Sequence, residues 1–308
     1  MTNYKTNITA KIIADSVSPS GERMTTMEIE YPRFILAELN THRMLSKNSA
    51  SSRAIPIKAM HEHLKQYPAG PVFWGKNQPG MQASVELDGT DLTDANFIWK
   101  RALEDALHWS GVMGNRLQLH KQIANRLTEP WMTMKTVISG TEWANFFYLR
   151  AHKDAQPEIH ELAVKMQQAY QESTPQLLQP GEWHVPYVNT QRSPSGDLHY
   201  LDNQGTRITA QQACIISASC CAQVSYRKND DSMEKAEKIF NQLIYSKPAH
   251  ASPVEHQATP MRISSMRRSE PETWQPGVTH HSANDDLWSG NLRGWIQHRK
   301  LIPGEAQW

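Results

Sequence analysis

One polar stretch, residues 38–53, places the strongest limit on how this chain can fold. An apolar run at 34–39 leads into it and Pro56 follows it, so we expect a helix end that passes into a polar loop. The stretch holds two arginines, a histidine and four serines. These residues combine hydroxyl and backbone N–H donors with cationic groups, which suit a phosphate or a heteroaromatic ring. The stretch predicts an anion site, although a solvated loop with ordinary Ser and Asn capping fits the same composition.

Composition limits the classes of protein to which the chain can belong. A length of 308 residues with 39% hydrophobic and 20% charged residues is typical of a globular protein with a substantial core. The net charge of +1, from 32 basic and 31 acidic residues, gives no electrostatic case for nucleic acid or an anionic membrane surface. The sequence has no long apolar run and no hydrophobic segment at its start. We therefore expect neither a membrane span nor a secretory signal, and a cytoplasmic location.

The three cysteines lie close together in one segment that has helical spacing. They are Cys214, Cys220 and Cys221. Their spacing is not that of a paired metal-binding motif, so we interpret them as small buried residues.

Hydrophobic periodicity predicts both strands and helices. Residues 7–14 and 23–30 alternate like two strands of a hairpin around a Ser-Pro-Ser-Gly turn. Residues 132–139 fit either a strand or a helix. Helical spacing is present at 33–40, 91–127 with a break at 111–114, 141–151, 158–172, 210–225, 233–246 and, as a short segment, 287–298.

Two arginines at helix ends are candidates for ligand contacts. Arg150 directly follows the apolar run of the helix at 141–151, where an unpaired charge would be costly. We therefore expect it to have a polar partner, with a ligand oxygen as one candidate. Arg126 has an exposed helix-end position by default, but it could make a second contact with a phosphate or a base.

Three further segments have little regular periodicity or a polar cluster. Residues 67–91 are interpreted as an ordered surface insertion, and residues 180–207 as a long loop or a short hairpin. Residues 250–256, with two His, a Ser and a Glu, match no usual zinc spacing, so hydrogen bonding around a turn is favoured over a metal site. The last 45 residues or so could pack against a neighbouring subunit.

The spacing within residues 41–53 resembles the signature of the flavin-dependent thymidylate synthases. That signature is Arg-His-Arg, two residues, Ser, one residue, Asn-Glu, one residue, Ser, one residue, Arg. Six of its eight defined positions match, namely His42, Arg43, Ser46, Asn48, Ser51 and Arg53. Thr41 replaces the first Arg and Ser49 replaces the Glu.

Further segments are similar to other marks of the same family. Residues 145–151, Asn-Phe-Phe-Tyr-Leu-Arg-Ala, are followed by Ala-Gln-Pro-Glu-Ile at 155–159. Asn125-Arg126 and Pro130 correspond to the family's Ala-Arg pair and the Pro that follows it. Residues 222–226, Ala-Gln-Val-Ser-Tyr, precede the block His-Ala-Ser-Pro-Val-Glu-His at 250–256. This last pair normally comes before the signature and here follows it, so the chain is identified as a permuted or extended member.

The resemblance implies an α+β fold in which a small, mostly antiparallel sheet packs with long helices. It implies a single domain over 1–308, with insertions at about 67–91 and 180–207 and a C-terminal extension at about 263–308. It also implies a methyltransferase of dTMP biosynthesis that uses FAD, with NADPH and methylenetetrahydrofolate as co-substrates, to methylate dUMP at C5. Family members form homotetramers with FAD at subunit interfaces.

The resemblance also assigns roles to individual residues. Catalytic roles fall to Ser51 and Arg150, the latter stabilising negative charge on the pyrimidine by roughly 3 kcal/mol if its donors are well placed. The FAD contacts would be His42, Arg43, Asn48, Asn145, Leu149, Ser225, His250, Ser252 and Glu255. The nucleotide contacts would be Glu38, Ser51, Ser52, Arg53, Arg126 and Arg150.

Several departures from the family pattern surround these sites, and they leave alternatives open. They are Glu38 for Gln, Thr41 for Arg, Ser49 for Glu, Ser139 for Asn, Thr141 for Arg and Asp154 for His. A carboxylate at position 38 can accept from a cytosine amino group. The alternatives are therefore C5 hydroxymethylation or hydroxylation of dUMP or dCMP, or a non-catalytic flavin- or nucleotide-binding protein.

Overall fold

The computed structural model describes residues 6–225, 230–262 and 269–305. Within these ranges helices and short strands alternate along the chain. The α-helices are α1 Leu36–Asn40, α2 Ile57–Gln66, α3 Gly89–Gly111, α4 Lys121–Ala124, α5 Ala144–Arg150, α6 Pro157–Glu172, α7 Ala210–Ala222 and α8 Met233–Ile244. The strands are β1 Thr9–Val17, β2 Arg23–Pro32, β3 Ser46–Ser49, β4 Thr133–Gly140, β5 Gln176–Leu177, β6 Asn189–Arg192, β7 Leu198–Leu201, β8 Arg207–Ile208, β9 Ala258–Pro260, β10 His280–His281, β11 Leu287–Ser289, β12 Leu292–Arg293 and β13 Trp295–Gln297.

The central sheet has five strands in the order β3-β4-β2-β1-β5. Its pairs are antiparallel, apart from the parallel pairing of β1 with β5. The predicted hairpin is confirmed as β1 and β2. Gly21 has a φ of +94°, which glycine adopts readily, in the turn between these strands.

Helices cover both faces of this sheet. On one face Ile29 and Ile138 pack with α5 and α6, through residues such as Phe146 and Leu162. On the other face Val137 packs against the end of α7. The mixed architecture confirms the predicted α+β class, with a small and mostly antiparallel sheet.

The polar stretch is more regular than the sequence predicts. A 3-10 turn at Arg33–Ile35 and α1 confirm the helix at 33–40. Residues 46–49 were expected in a loop but form β3, which pairs with β4 at the sheet edge. The stretch is followed by α2, which the sequence analysis missed although Met60 and Leu64 are buried one turn apart.

Other helical predictions need correction at their ends or in kind. The break in 91–127 comes later than expected, because α3 continues into a π-helical turn at Val112–Arg116, and only the short α4 and a 3-10 turn at Asn125–Trp131 follow. The ambiguous segment 132–139 is strand β4. Helices α6, α7 and α8 are confirmed, whereas the helix predicted at 141–151 is shortened to α5.

Two segments, 180–207 and 287–298, form strands of small sheets. Within 180–207, the hairpin of β6 and β7 is extended by β8. The short helix predicted at 287–298 is wrong, because this segment forms β11, β12 and β13. Each of these strands has only two or three residues, which is too short to show an alternation of apolar and polar residues. In addition, β13 pairs with β9, which is distant in the sequence.

The C-terminal strands are part of the same folded body as the central sheet. Trp295 is fully buried with Met24 of β2 and Ala258 of β9. Its indole Nε1 donates to the Glu22 carbonyl oxygen at 3.1 Å. Among the described residues, no helix is both long and apolar enough to cross a membrane.

Candidate functional site

The predicted residue Arg150 ends α5 and lies among three side chains of the polar stretch. Its Nε donates to His42 Nε2 at 2.8 Å, and an Nη2 to Thr41 Oγ1 contact measures 3.4 Å. Its Nη1 is 3.8 Å from Glu38 Oε2. The polar partner expected for Arg150 is therefore present, and we refer to Glu38, His42 and Arg150 as the cleft cluster.

His42 is a neutral acceptor in this cluster. Burial first, and then the nearby charges of Arg150 and Lys47, lower the pKa of His42 to about 4. Since Nε2 accepts from Arg150, the ring proton is on Nδ1. The ring also packs edge-on against Phe146, with 4.9 Å between centroids. His42 can therefore orient the guanidinium without adding a positive charge.

Glu38 contributes a carboxylate oxygen that no hydrogen bond satisfies among the described residues. Its Oε2 atom is buried, although the side chain as a whole is 37% exposed. The 3.8 Å separation from Arg150 is too long for a hydrogen bond. A buried carboxylate oxygen without a donor is costly, and the charge of the nearby Arg150 guanidinium offsets part of that cost.

Arg150 of the cleft cluster lines a cleft of about 420 Å³ next to α5. Its lining includes Leu149 and Arg150, both predicted site residues, and Asp154, one of the departures from the family pattern. Asn145 is exposed one turn earlier on α5. Nη1 of Arg150 has only its ion pair with Glu38, and Nη2 has only the 3.4 Å contact with Thr41 Oγ1, so both retain donor capacity for an occupant of this cleft.

The two sequence blocks that are far apart in the chain meet at β3. Asn48 donates through Nδ2 to the Cys221 carbonyl oxygen at 2.6 Å and accepts from Ser252 Oγ at 3.3 Å. The backbone N–H of Ser51 donates to Ser225 Oγ at 2.9 Å. The permuted order in the sequence therefore still brings four predicted site residues together. Tyr226 of the same motif lies outside the described residues.

Lys47 is a cation at this site that the sequence analysis missed. Its Nζ donates to the carbonyl oxygens of His42 and Leu45 at 2.5 and 3.0 Å. Burial lowers the pKa of Lys47 to about 8, and the charge of Glu255 opposes this shift. Its position between two signature residues was the available signal, but the signature leaves that position undefined.

Two of the residues assigned to the nucleotide, Ser52 and Arg126, contact Glu129, which sequence reasoning did not single out. Glu129 Oε1 is 3.0 Å from both Arg126 Nη1 and Arg33 Nη2. It also accepts from Ser52 Oγ at 3.4 Å. Arg126 is half exposed and paired with this carboxylate, whereas Arg53 is exposed.

The remaining predicted residues lie at the surface or in ion pairs. Arg43 and His250 are exposed, and Glu255 accepts from Arg299. The described residues contain no group of three His, Cys, Asp or Glu side chains that could hold a metal ion. The three cysteines are buried, as predicted, and burial raises the pKa of each thiol.

Comparison with protein families gives one match, over residues 14–176, to the family described as thymidylate synthase complementing protein. The matched range contains the polar stretch and the cleft cluster. No curated protein sequence matches the chain.

Solved structures with partial likeness include crystal structures of the UMP/dUMP methylase PolB from Streptomyces cacaoi. The one bound with 5-Br UMP is 17% identical, with a TM-score of 0.45 over 55% of this chain and 92% of that chain. The one bound with 5-Br dUMP is 16% identical, with a TM-score of 0.42 over 54% of this chain and 91% of that chain.

Proposed function

The chain belongs to the thymidylate synthase complementing protein family, the flavin-dependent thymidylate synthases, and from this we propose that it methylates dUMP at C5 to give dTMP. The family consists of enzymes that act on nucleotides. We propose FAD as the bound cofactor, with NADPH and methylenetetrahydrofolate as co-substrates.

The observation that carries this proposal is the cleft cluster. Arg150 is held through Nε by the neutral His42 and lines the cleft, while its two terminal nitrogens have only a 3.4 Å contact with Thr41 and a 3.8 Å ion pair with Glu38. A guanidinium fixed in this way presents donors to a carbonyl or phosphate oxygen. A pyrimidine nucleotide has both kinds of oxygen, so the cleft can bind such a ligand through Arg150.

The residues present also fit a flavin. Asn145 and Leu149 offer an amide and an apolar surface beside the cleft, and both side chains are exposed. Arg43 and His250 are exposed polar groups of the kind that bind a pyrophosphate. Asn48, Ser225, Ser252 and Glu255 would complete the flavin contacts at β3. A bound flavin supplies the redox chemistry, and the protein orients the reactants.

The residues of this chain would act on the nucleotide electrostatically. Arg150 would stabilise negative charge on a pyrimidine carbonyl oxygen as C5 becomes nucleophilic, with an effect of roughly 3 kcal/mol. His42, unprotonated at neutral pH, would hold Arg150 in place. Ser51 and Ser52 would contact the nucleotide with Arg53 and Arg126, and the ion pair of Arg126 with Glu129 would have to open or rearrange.

Flavin absorbance and product mass spectrometry test this proposal. Purified protein supplied with FAD should retain the flavin, and addition of dUMP, NADPH and methylenetetrahydrofolate should yield dTMP. Protein that binds no FAD when it is supplied would contradict the proposal.

A second candidate is modification of dCMP, or transfer of a hydroxymethyl or hydroxyl group. Glu38, whose Oε2 accepts no hydrogen bond among the described residues, favours this candidate, because a carboxylate can accept from the amino group of cytosine. Mass spectrometry of products from dUMP and dCMP, with and without folate, separates the two. If dUMP is converted to dTMP and dCMP is not converted, this candidate is eliminated.

A non-catalytic flavin- or nucleotide-binding protein would behave differently again. It would bind FAD, and any NADPH oxidation would not respond to a pyrimidine nucleotide or to folate. Three further properties remain predictions: the homotetramer, the single domain with its insertions and extension, and the cytoplasmic location. Analytical ultracentrifugation would test the homotetramer.

A further inference from the structure

The C-terminal strands contact both sequence blocks of the proposed flavin site. We propose that Asn291, Gln297 and Arg299 are positioning residues that fix the loop at 42–48 and Glu255 relative to one another. We refer to these three residues as the C-terminal clamp. Its role in flavin binding rests on the proposed function, whereas its contacts with the loop do not.

The first contact of the clamp comes from the tip of a hairpin. Ser289 pairs with Leu292, so Gly290 and Asn291 form a two-residue turn between β11 and β12. Gly290 has a φ of +59°, and a Cβ atom at this position would lie 3.0 Å from Gln297 Oε1. Glycine therefore suits both the turn and the close approach of Gln297.

Asn291 uses its side-chain amide to hold the signature loop. Its Nδ2 donates to the Met44 carbonyl oxygen and to Ser46 Oγ, both at 3.0 Å. Ser46 is one of the six signature matches. The hairpin thus holds the chain where it enters β3, directly before Lys47 and Asn48.

Gln297 extends this bond network to the second sequence block. This residue of β13 is 1% exposed, and its Nε2 donates to Asn291 Oδ1 at 3.0 Å and to the Glu255 carbonyl oxygen at 3.2 Å. Its backbone N–H donates to Ser289 Oγ at 3.0 Å. Both amide protons of Gln297 are engaged, so its position is fixed by Asn291 on one side and Glu255 on the other.

Arg299 adds an ionic contact to the Glu255 side chain. Its Nη1 donates to Glu255 Oε1, and its Nε donates to Glu305 Oε2 at 2.6 Å. Glu255 also attracts the charge of Lys47, whose Nζ is bonded to carbonyl oxygens of the loop. The carboxylate of Glu255 therefore lies between a cation of the C-terminal segment and a cation of the signature loop.

The contacts of Asn291 join segments that are more than 200 residues apart in the chain, whereas those of Gln297 and Arg299 with Glu255 span 42 and 44 positions. Without the clamp, the loop would keep its pairing between β3 and β4, but Met44 and Ser46 would lose their hydrogen bonds to Asn291. Groups that bind a ligand need partners that fix their orientation, and loss of such outer partners commonly lowers affinity about tenfold or more. The clamp residues thus control the site without needing to touch the flavin.

The variants Asn291→Ala and Arg299→Ala test the proposal, with Lys300→Ala as the matched control. Lys300 also pairs with Glu305, at 2.6 Å, and it adjoins Arg299 in sequence. Two measurements are made on the full chain: deuterium exchange of the loop at 42–48 without ligand, and the dissociation constant for FAD by fluorescence titration. Thermal unfolding midpoints identify any variant that loses its fold, and Arg299→Lys is included as the conservative replacement.

We expect faster exchange of the loop and an FAD dissociation constant about tenfold higher in both clamp variants than in Lys300→Ala. Arg299→Lys should recover part of the affinity. Loop exchange equal to that of the control would overturn the clamp, whatever the flavin result. Faster exchange with unchanged FAD affinity would overturn its positioning role. A wild-type protein that binds no FAD would overturn the proposed function and the flavin part of the clamp, while the exchange data would still test the loop contact.

Discussion

The cleft cluster and a buried polar chain both contain histidines with low pKa values, but they use their polar atoms differently. In the buried chain, His184 bonds through its two ring nitrogens to Ser16 and Thr26, each at 2.8 Å. Thr26 continues to Ser139 at 2.6 Å, and Ser139 to His256 Nδ1 at 2.8 Å. In the cleft cluster, Arg150 lines a cleft, and its Nη1 makes only a 3.8 Å ion pair with Glu38 among the described residues.

The difference teaches that a shifted histidine pKa alone does not mark a ligand site. Burial lowers the pKa of His184 to about 4 and that of His256 to about 3, yet both rings are enclosed in the fold. His184 is bonded through both ring nitrogens, whereas His256 is bonded through Nδ1 and its buried Nε2 has no hydrogen-bond partner among the described residues. His42 has a comparable pKa, but it supports a guanidinium that is partly exposed to a cleft. We therefore expect changes in the cleft cluster to affect turnover and changes in the buried chain to affect stability.

The largest expected effect is that of Arg150→Ala on turnover. Loss of a donor that stabilises transition-state charge should lower kcat by roughly 10²–10³-fold. The thermal midpoint should be measured in parallel, because the side chain is only 24% exposed and its removal takes away the ionic partner of Glu38. Steady-state dTMP formation checks this, with Arg150→Lys to separate loss of charge from loss of the planar fork. Full activity of Arg150→Ala would remove the cleft cluster from the catalytic site.

Replacement of His184 should have the opposite profile. His184→Ala leaves the buried hydroxyls of Ser16 and Thr26 without this partner, so we expect a loss of roughly 2–4 kcal/mol in the free energy of unfolding. Turnover per folded molecule should be close to wild type. Urea unfolding measures the stability, and His281→Ala, at an exposed histidine, is the control. Equal stability of the two variants would show that the buried chain does not support the fold.

The pH dependence of stability should also follow the buried chain. His184 and His256 remain neutral in the folded protein down to about pH 4 and 3, whereas in the unfolded chain they bind protons below about pH 6.5. The unfolded state then binds more protons, so the free energy of unfolding falls as the pH drops from about 6.5 to 4. Each histidine contributes up to about 1.4 kcal/mol per pH unit. Urea unfolding at several pH values gives the free energy of unfolding as a function of pH. This free energy should fall less steeply with decreasing pH in His184→Ala than in wild type, and an identical pH dependence would contradict this assignment.

The smallest expected effect is that of Arg126→Ala on stability. Its ion pair with Glu129 is at the surface, and Glu129 also has Arg33. We expect a change of no more than about 0.5 kcal/mol in the free energy of unfolding, but a higher KM for the nucleotide if Arg126 contacts the phosphate. Unchanged KM would assign Arg126 to the surface alone.

Local sequence patterns predict those elements in which the contacting residues are close together in the sequence. The β1–β2 hairpin and α6 follow directly from their periods of two and 3.6 residues. Strand β4 is ambiguous in sequence because both of its faces are buried, which removes the alternation. Helix α2 was missed because Pro56 was interpreted as the end of a loop, whereas it precedes the first turn of a helix.

Prediction of the candidate site from the sequence is limited in the same way. The motifs identify His42, Asn48, Arg150 and Ser252, and the fold brings these residues into pairs. Contacts of Lys47, Glu129 and Asn291 depend on partners that no local pattern specifies. Asn291, for example, bonds Ser46 across 245 positions of the sequence. Such contacts require the three-dimensional arrangement of strands that are only two or three residues long.

The central claim, that the cleft cluster binds a pyrimidine nucleotide, is tested most directly by calorimetric titration of dUMP into FAD-supplied protein. Wild type and Arg150→Ala should be compared, with His281→Ala as a control. We predict saturable binding by wild type and by the control, and affinity at least about tenfold lower in Arg150→Ala, because a charge-assisted hydrogen bond contributes about 1.5–3 kcal/mol. Equal affinity of Arg150→Ala and wild type would contradict the account.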